Sequence, residues 1–137
     1  MTDMSPHRFL NPDDWTPPRG YANGVVSEGR MLFTGGLVGW NAEQKFERTD
    51  LVGQFEQVLE NIVAVLECGG ARPEHLVRLT WYITDRDEYL ANTRELGAVY
   101  RRILGRHFPA MAVVQVVALM EEAAKIEIEA TAVIPHA

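Results

Sequence analysis

Between Asp50 and Cys68 the apolar residues Leu51, Phe55, Val58, Leu59, Ile62 and Leu66 recur at spacings of three and four, the stripe of an amphipathic helix. Gln54, Glu56, Gln57, Glu60 and Asn61 fill much of the remainder. Thr49 or Asp50 can cap the start, and Gly69 or Gly70 the end. From Leu76 to Ile83 the period changes to two. Val77, Leu79, Trp81 and Ile83 fall on one face, and Arg78, Thr80 and Tyr82 on the other, which predicts a strand. Asp85 and Glu88 form a capping box for a second helix, whose stripe is Tyr89, Leu96, Val99, Tyr100 and Ile103 and which Gly105 stops. Met111 to Leu119 is almost continuously apolar and predicts a strand buried on both faces. The last strand, Lys125 to Val133, alternates Ile126, Ile128, Ala130 and Ala132 inward against Lys125, Glu127, Glu129 and Thr131.

Upstream, the runs Gly24-Val25-Val26 and Met31-Leu32-Phe33-Thr34 flank Ser27-Glu28-Gly29-Arg30 and predict a hairpin. The paired glycines Gly35 and Gly36 suggest a bulge or a close approach to the backbone. They lack the spacing and ending of a phosphate loop. Residues 1–19 form an arm, because Pro6, Pro12, Pro17 and Pro18 forbid helix and central strand. Trp15 is the residue expected to pin it to the body. Residues 20–137 then form one α+β domain: hairpin, helix, strand, helix, strand, strand. Two right-handed crossovers lay both helices on one face of a mixed sheet. The opposite face needs cover, and association of copies supplies it most economically.

Composition changes this picture little. With 137 residues and 47% hydrophobic content the chain is one globular domain with a real core. The formal net charge of −6 argues against nucleic acid as a partner. Arg101, Arg102, Arg106 and His107 are the nearest thing to a basic cluster, expected at a solvated helix end. The single cysteine, Cys68, is expected to be a buried structural thiol. No apolar run approaches the roughly 20 residues of a membrane span, and the polar, proline-rich start lacks the core of a signal peptide. A cytoplasmic protein without membrane partners is expected.

The chemistry-bearing residues narrow further. His7, His75, His107 and His136 show no metal-ligand spacing, and Ser5 and Ser27 sit in no nucleophile elbow, so neither metal nor cofactor is expected. Glu127 and Glu129 share a strand face, about 7 Å apart by the rise of two residues. In a dry cleft one of them can act as a general base on water; on an open face both are ordinary surface acids.

Over roughly residues 20 to 133 the chain resembles the RidA/YjgF family of enamine/imine deaminases. The resemblance rests on Gly20-Tyr21-Ala22-Asn23-Gly24, Leu32-Phe33-Thr34-Gly35-Gly36, Gln57-Val58-Leu59-Glu60-Asn61-Ile62, the strand from Val77 to Asp85, Asn92, Phe108-Pro109-Ala110 and Lys125-Ile126-Glu127-Ile128-Glu129-Ala130. It implies a chorismate-mutase-like α+β fold and a homotrimer with a central β-barrel, with small-molecule clefts between subunits. It implies hydrolysis of a reactive enamine or imine to a carbonyl compound and ammonia. Glu127 matches the catalytic glutamate, Tyr21 a tyrosine of the cleft, and Thr34 a position where serine is common, with Gly35 and Gly36 beside it. One departure stands out. The family's substrate-gripping arginine, two residues after the proline of the turn, is Met111 here, and a common cysteine is Val113. Met111, Val113 and Trp40 imply a more apolar pocket, and Arg106 is a candidate replacement cation. The resemblance thus points away from 2-aminoacrylate and toward a bulkier imine, such as an aminomuconate-like catabolic intermediate. The alternative is a non-catalytic metabolite-binding, regulatory or chaperone-like trimer. Ribonuclease activity, sometimes attached to the family, ranks last on charge.

Overall fold

The computed structural model describes residues 6–136; Met1 to Ser5 of the expected arm and Ala137 lie outside the described residues. In chain order the elements are β1 (Arg8–Leu10), β2 (Gly24–Val26), β3 (Arg30–Phe33), β4 (Leu37–Val38), α1 (Leu51–Cys68), β5 (Leu76–Ile83), α2 (Arg86–Ala91), α3 (Thr93–Leu104), β6 (Ala110–Gln115) and β7 (Ile126–Ile134). The main sheet runs β3-β7-β5-β6, with β4 also paired to β7. Among the paired strands of the described residues only β5 and β6 run parallel, as expected of two strands joined by a helical crossover.

The expected α+β architecture is present, and α1 carries it. Asp50 caps the helix by accepting from Gly53 N, and Leu51, Phe55, Val58, Leu59, Ile62 and Leu66 are all buried. Burying such side chains is worth roughly 1.5–3 kcal/mol each. Their counterparts on the sheet are Leu79, Trp81, Ile83, Ile126, Ile128 and Ala130. Phe55 meets Trp81 at a ring separation of 4.7 Å. The helix also buries Gln54, which the sequence pattern places among solvated positions. Its amide donates to Arg48 O and Ala123 O, at 3.1 and 2.9 Å, and its carbonyl accepts from Lys125 N. Gln54 therefore fastens the β6–β7 connection to the first turn of α1.

Several expectations need correction. The hairpin between Gly24–Val26 and Met31–Thr34 does not form. β2 pairs instead with β1 of the arm, and β3 pairs with β7. Gly29 has φ +147, and a Cβ there would stand 2.9 Å from Val133 Cγ1, so the connection turns to lay β3 along β7. Trp15 is 55% exposed and does not pin the arm. His7 and Phe9 do, packing against His107 at ring separations of 5.8 Å in both cases. The second helix is broken at Asn92 into α2 and α3. In β5 a register shift between Leu76 and Arg78 buries Leu76 and leaves Val77 only half-buried. β6 ends at Gln115 and lies at the sheet edge, so it is not buried on both faces, and Val117 and Met120 beyond it are exposed. Cys68 is exposed, two residues past Leu66, the last core residue of α1.

Alternation fixes the two faces of the sheet. Leu79, Trp81, Met111, Val113 and Ile128 face the helices. Tyr82, Val114, Glu127 and Glu129 face away, as do Met31 and Phe33, which are largely exposed. Among the described residues no helix is long and apolar enough to cross a membrane.

Candidate functional site

Glu127 lies on β7 opposite Tyr82 of β5 and Val38 of β4, half-buried on the face away from the helices. Gly36 explains how its carboxylate is seated. A Cβ on Gly36 would come within 2.9 Å of Glu127 Cδ, so only glycine lets the acid lie against this backbone. Gly35, one residue earlier, has open space where its Cβ would be. The pair therefore divides into a close approach at Gly36 and a free position at Gly35. Thr34 holds the turn together: its hydroxyl donates to Gly35 O at 2.7 Å and accepts from Ala130 N at 3.0 Å. Its only proton is thus committed to backbone, leaving a lone pair as its free polar function.

Glu129 belongs to a different arrangement. It accepts from the Tyr82 hydroxyl at 2.8 Å, and that hydrogen bond, with burial and the charges of Glu129 and Glu127, raises the Tyr82 pKa. Of the two acids on this face, Glu127 is the one beside the glycine turn.

Tyr21, Met111 and Val113 meet elsewhere. They line a cavity of about 540 Å³ between α3 and the helix-facing side of β5 and β6. Tyr21 is brought there by its neighbour Ala22, which bridges to Ala110 and donates its N–H to Pro109 O at 3.0 Å. The Phe108-Pro109-Ala110 turn and the Tyr21 segment are thus fixed to each other. Phe108 stacks on Tyr100 at 5.2 Å, forming one wall. Burial raises the pKa of Tyr89 and of Tyr100, so both phenols lining the cavity stay neutral.

Within one chain the candidates therefore form two half-sites on opposite faces of the sheet. Thr34, Gly36 and Glu127 make one, with Gly35 adjoining, and Tyr21, Met111 and Val113 make the other. Trp40 joins neither: it packs on Phe46 at 5.7 Å, and its carbonyl accepts from Asn61 Nδ2. Arg106 is not at the cavity but beside a smaller hollow with Phe9 and His107. The basic cluster as a whole disperses, since Arg102 pairs with Glu56 at 2.9 Å and His107 Nε2 bonds Leu76 O at 2.7 Å. Sequence reasoning missed Arg19, Arg101, Trp81 and Thr93 at the cavity. Trp81 was hidden by reading as core, and Arg101 by sitting in a run of helix-end cations.

Comparison with known proteins places this geometry in context. The family described as endoribonuclease L-PSP matches residues 14–134. The 2-iminobutanoate/2-iminopropanoate deaminase of Escherichia coli (strain K12) is 31% identical over 116 residues, covering 82% of this chain and 86% of that protein. Protein DfrA of Myxococcus xanthus is 38% identical over 109 residues, covering 79% of each chain. Among solved structures, a Rid-family protein of unknown function from Yersinia pestis, YyfB, superposes with a TM-score of 0.83 at 34% identity, covering 94% of this chain and 99% of that one.

Proposed function

Because this chain belongs to the RidA/YjgF family, described as endoribonuclease L-PSP, we propose that it hydrolyses a reactive enamine or imine to a carbonyl compound and ammonia. The observation that carries the reading is the seat of Glu127 against Gly36, where backbone and carboxylate meet without an intervening side chain. An enamine first takes a proton on carbon and becomes an imine. Water then adds to the carbon of the protonated C=N bond, with Glu127 accepting the water's proton. Glu127 returns that proton to the carbinolamine nitrogen, the C–N bond breaks, and ammonia leaves as the hydroxyl gives up its proton and the carbonyl forms. One carboxylate suffices, because it gives back what it takes.

The two half-sites belong, in this reading, to one cleft between neighbouring subunits of a homotrimer. The exposed Met31, Phe33 and Val114 on the face away from the helices support association there, since a lone chain leaves them in water. Tyr21, Met111 and Val113 hold the substrate body, and Thr34, Gly35 and Gly36 frame the acid. Met111 lacks a donor, so a substrate bulkier than 2-aminoacrylate fits the cavity better. An aminomuconate-like intermediate is one such candidate. No cofactor enters the scheme, and the reaction suits a protein of the cytoplasm.

The test is ammonia release from imines generated in place by an amino acid oxidase or a lyase. The wild type accelerates it, and Glu127→Gln reduces it by at least about a hundredfold, the usual worth of a positioned base. Unchanged release in the variant removes Glu127 from the reaction. The apolar Met111 favours a second reading, a trimer that binds a metabolite without converting it. Met111→Arg separates the two: new activity on 2-aminoacrylate marks a scaffold competent for catalysis, and continued inactivity with intact binding marks a binding protein.

A further inference from the structure

The cavity that holds Met111 has its positive charge in another place. Arg19 and Arg101 both line it, and among the described residues no acidic side chain does. Among the described residues neither guanidinium has an ion-pair or hydrogen-bond partner, whereas the next residue on α3, Arg102, is paired with Glu56. Arg101 is also seated. It folds back over Gly97, where a Cβ would stand 3.1 Å from its Nη1, so the glycine leaves a berth for the guanidinium on the cavity side of α3. The same cavity wall includes Trp81, 6% exposed, whose indole N–H has no acceptor among the described residues. Two solvent-accessible, unneutralised guanidiniums border a space otherwise walled by aromatic and aliphatic side chains, Trp81 among them. Each of these groups stands to gain from an acceptor, and a carboxylate is the acceptor that suits a planar guanidinium fork. The cavity's 540 Å³ is that of a small-molecule site.

We propose that this cavity binds an organic carboxylate with a flat apolar or aromatic body, its carboxylate held by Arg101 and Arg19 and its body lying against Trp81, Met111 and Val113. Anion recognition has moved from the strand, where Met111 stands, to the facing helix. This displacement leaves the space at Met111 to the apolar part of the ligand. The binding claim stands on the cavity alone. The substrate class that follows from it rests on the hydrolase reading above: a 2-imino acid with a bulky apolar side chain, released as the 2-oxo acid.

The experiment titrates phenylpyruvate, and as its neutral counterpart phenylacetone, into the full chain by calorimetry at low salt. Phenylpyruvate binds the wild type, and phenylacetone binds far more weakly. Arg101→Gln weakens phenylpyruvate binding by about tenfold or more, as expected for loss of a charged hydrogen-bond pair. Arg19→Gln weakens it to a smaller extent, Arg101→Lys restores part of the loss, and Arg106→Gln changes nothing. Absence of phenylpyruvate binding overturns the proposal. So does equal binding of the ketone, or indifference to both Arg101→Gln and Arg19→Gln in variants whose thermal midpoints match the wild type. The two readings fail separately. Arginine-dependent binding without ammonia release from any imine sinks the hydrolase, and ammonia release with arginine-independent binding sinks the anion site.

Discussion

At the scale of single residues, adjacent positions that look alike in the sequence are not equivalent in space. Gly35 and Gly36 form a symmetrical-looking pair, yet only Gly36 touches Glu127. Gly36→Ala must displace the carboxylate and is expected to cut ammonia release by tenfold or more, about 1.4 kcal/mol of lost transition-state stabilisation. Gly35→Ala, entering open space, leaves turnover near wild type. Parallel kinetics on the two variants check this, and equal losses would show that the turn tolerates no Cβ anywhere. The two glutamates divide likewise. Alternation reveals that Glu127 and Glu129 share a face, but their partners, Gly36 and the Tyr82 hydroxyl, come from distant segments that no local pattern reports.

At the scale of elements, periodicity is a good guide where one face is buried by the chain itself. The α1 stripe and the alternation of β7 appear in the structure residue for residue. It misleads where pairing is non-local. The β2–β3 turn has the residues of a hairpin, but β3 has β7 beside it, and register with β7 is what buries Ala132. The apolar run outlasts β6, which ends at Gln115, and Val114 and Val117 are exposed in the single chain. Gln54 escapes notice because a polar residue on a helix reads as solvated until its partners, Arg48, Ala123 and Lys125, are known. Gln54→Leu leaves those three backbone groups unpaired, and is expected to lower stability by roughly 2–4 kcal/mol in denaturant titration. A loss under about 0.5 kcal/mol would show that water replaces the amide without cost.

The arm provides a pH-dependent counterpart. His7 shares a hydrogen bond with Ser27 Oγ, 2.8 Å away, and lies near His107 and His75. Burial is the largest cause lowering its pKa below 6.5; backbone hydrogen bonds at His75 and Glu74 oppose it in part, and electrostatic repulsion from His107 and His75 adds to it. A lowered folded-state value means that docking favours the neutral ring. Its contribution is complete above about pH 6.5 and lost as the pH falls through the lower folded value. Proteolysis of the arm should therefore accelerate between pH 7 and pH 5 in the wild type and respond less in His7→Asn. An arm equally protected at both pH values would refute this account of its docking.

At the scale of the whole molecule, the sheet divides the candidate site. The acid and its glycine lie on one face, and the cavity with Tyr21, Met111 and Val113 on the other. The fold of the monomer was largely legible from the sequence. The division was not, because it depends on which face each strand turns to its neighbours. A cleft shared between copies reconciles one reaction with two half-sites, and it makes a quantitative claim. In the ring of three proposed above, each cleft would take Glu127 from one subunit and the cavity from the next. The most direct test mixes two inactive variants, Glu127→Gln and the cavity-filling Val113→Trp, in equal amounts under conditions that exchange subunits. About three quarters of the trimers then contain both chains, and each of these has one intact cleft of three. The mixture should recover about a quarter of wild-type ammonia release, whereas a mixture that exchanges subunits and stays inactive would show that no cleft is shared between chains.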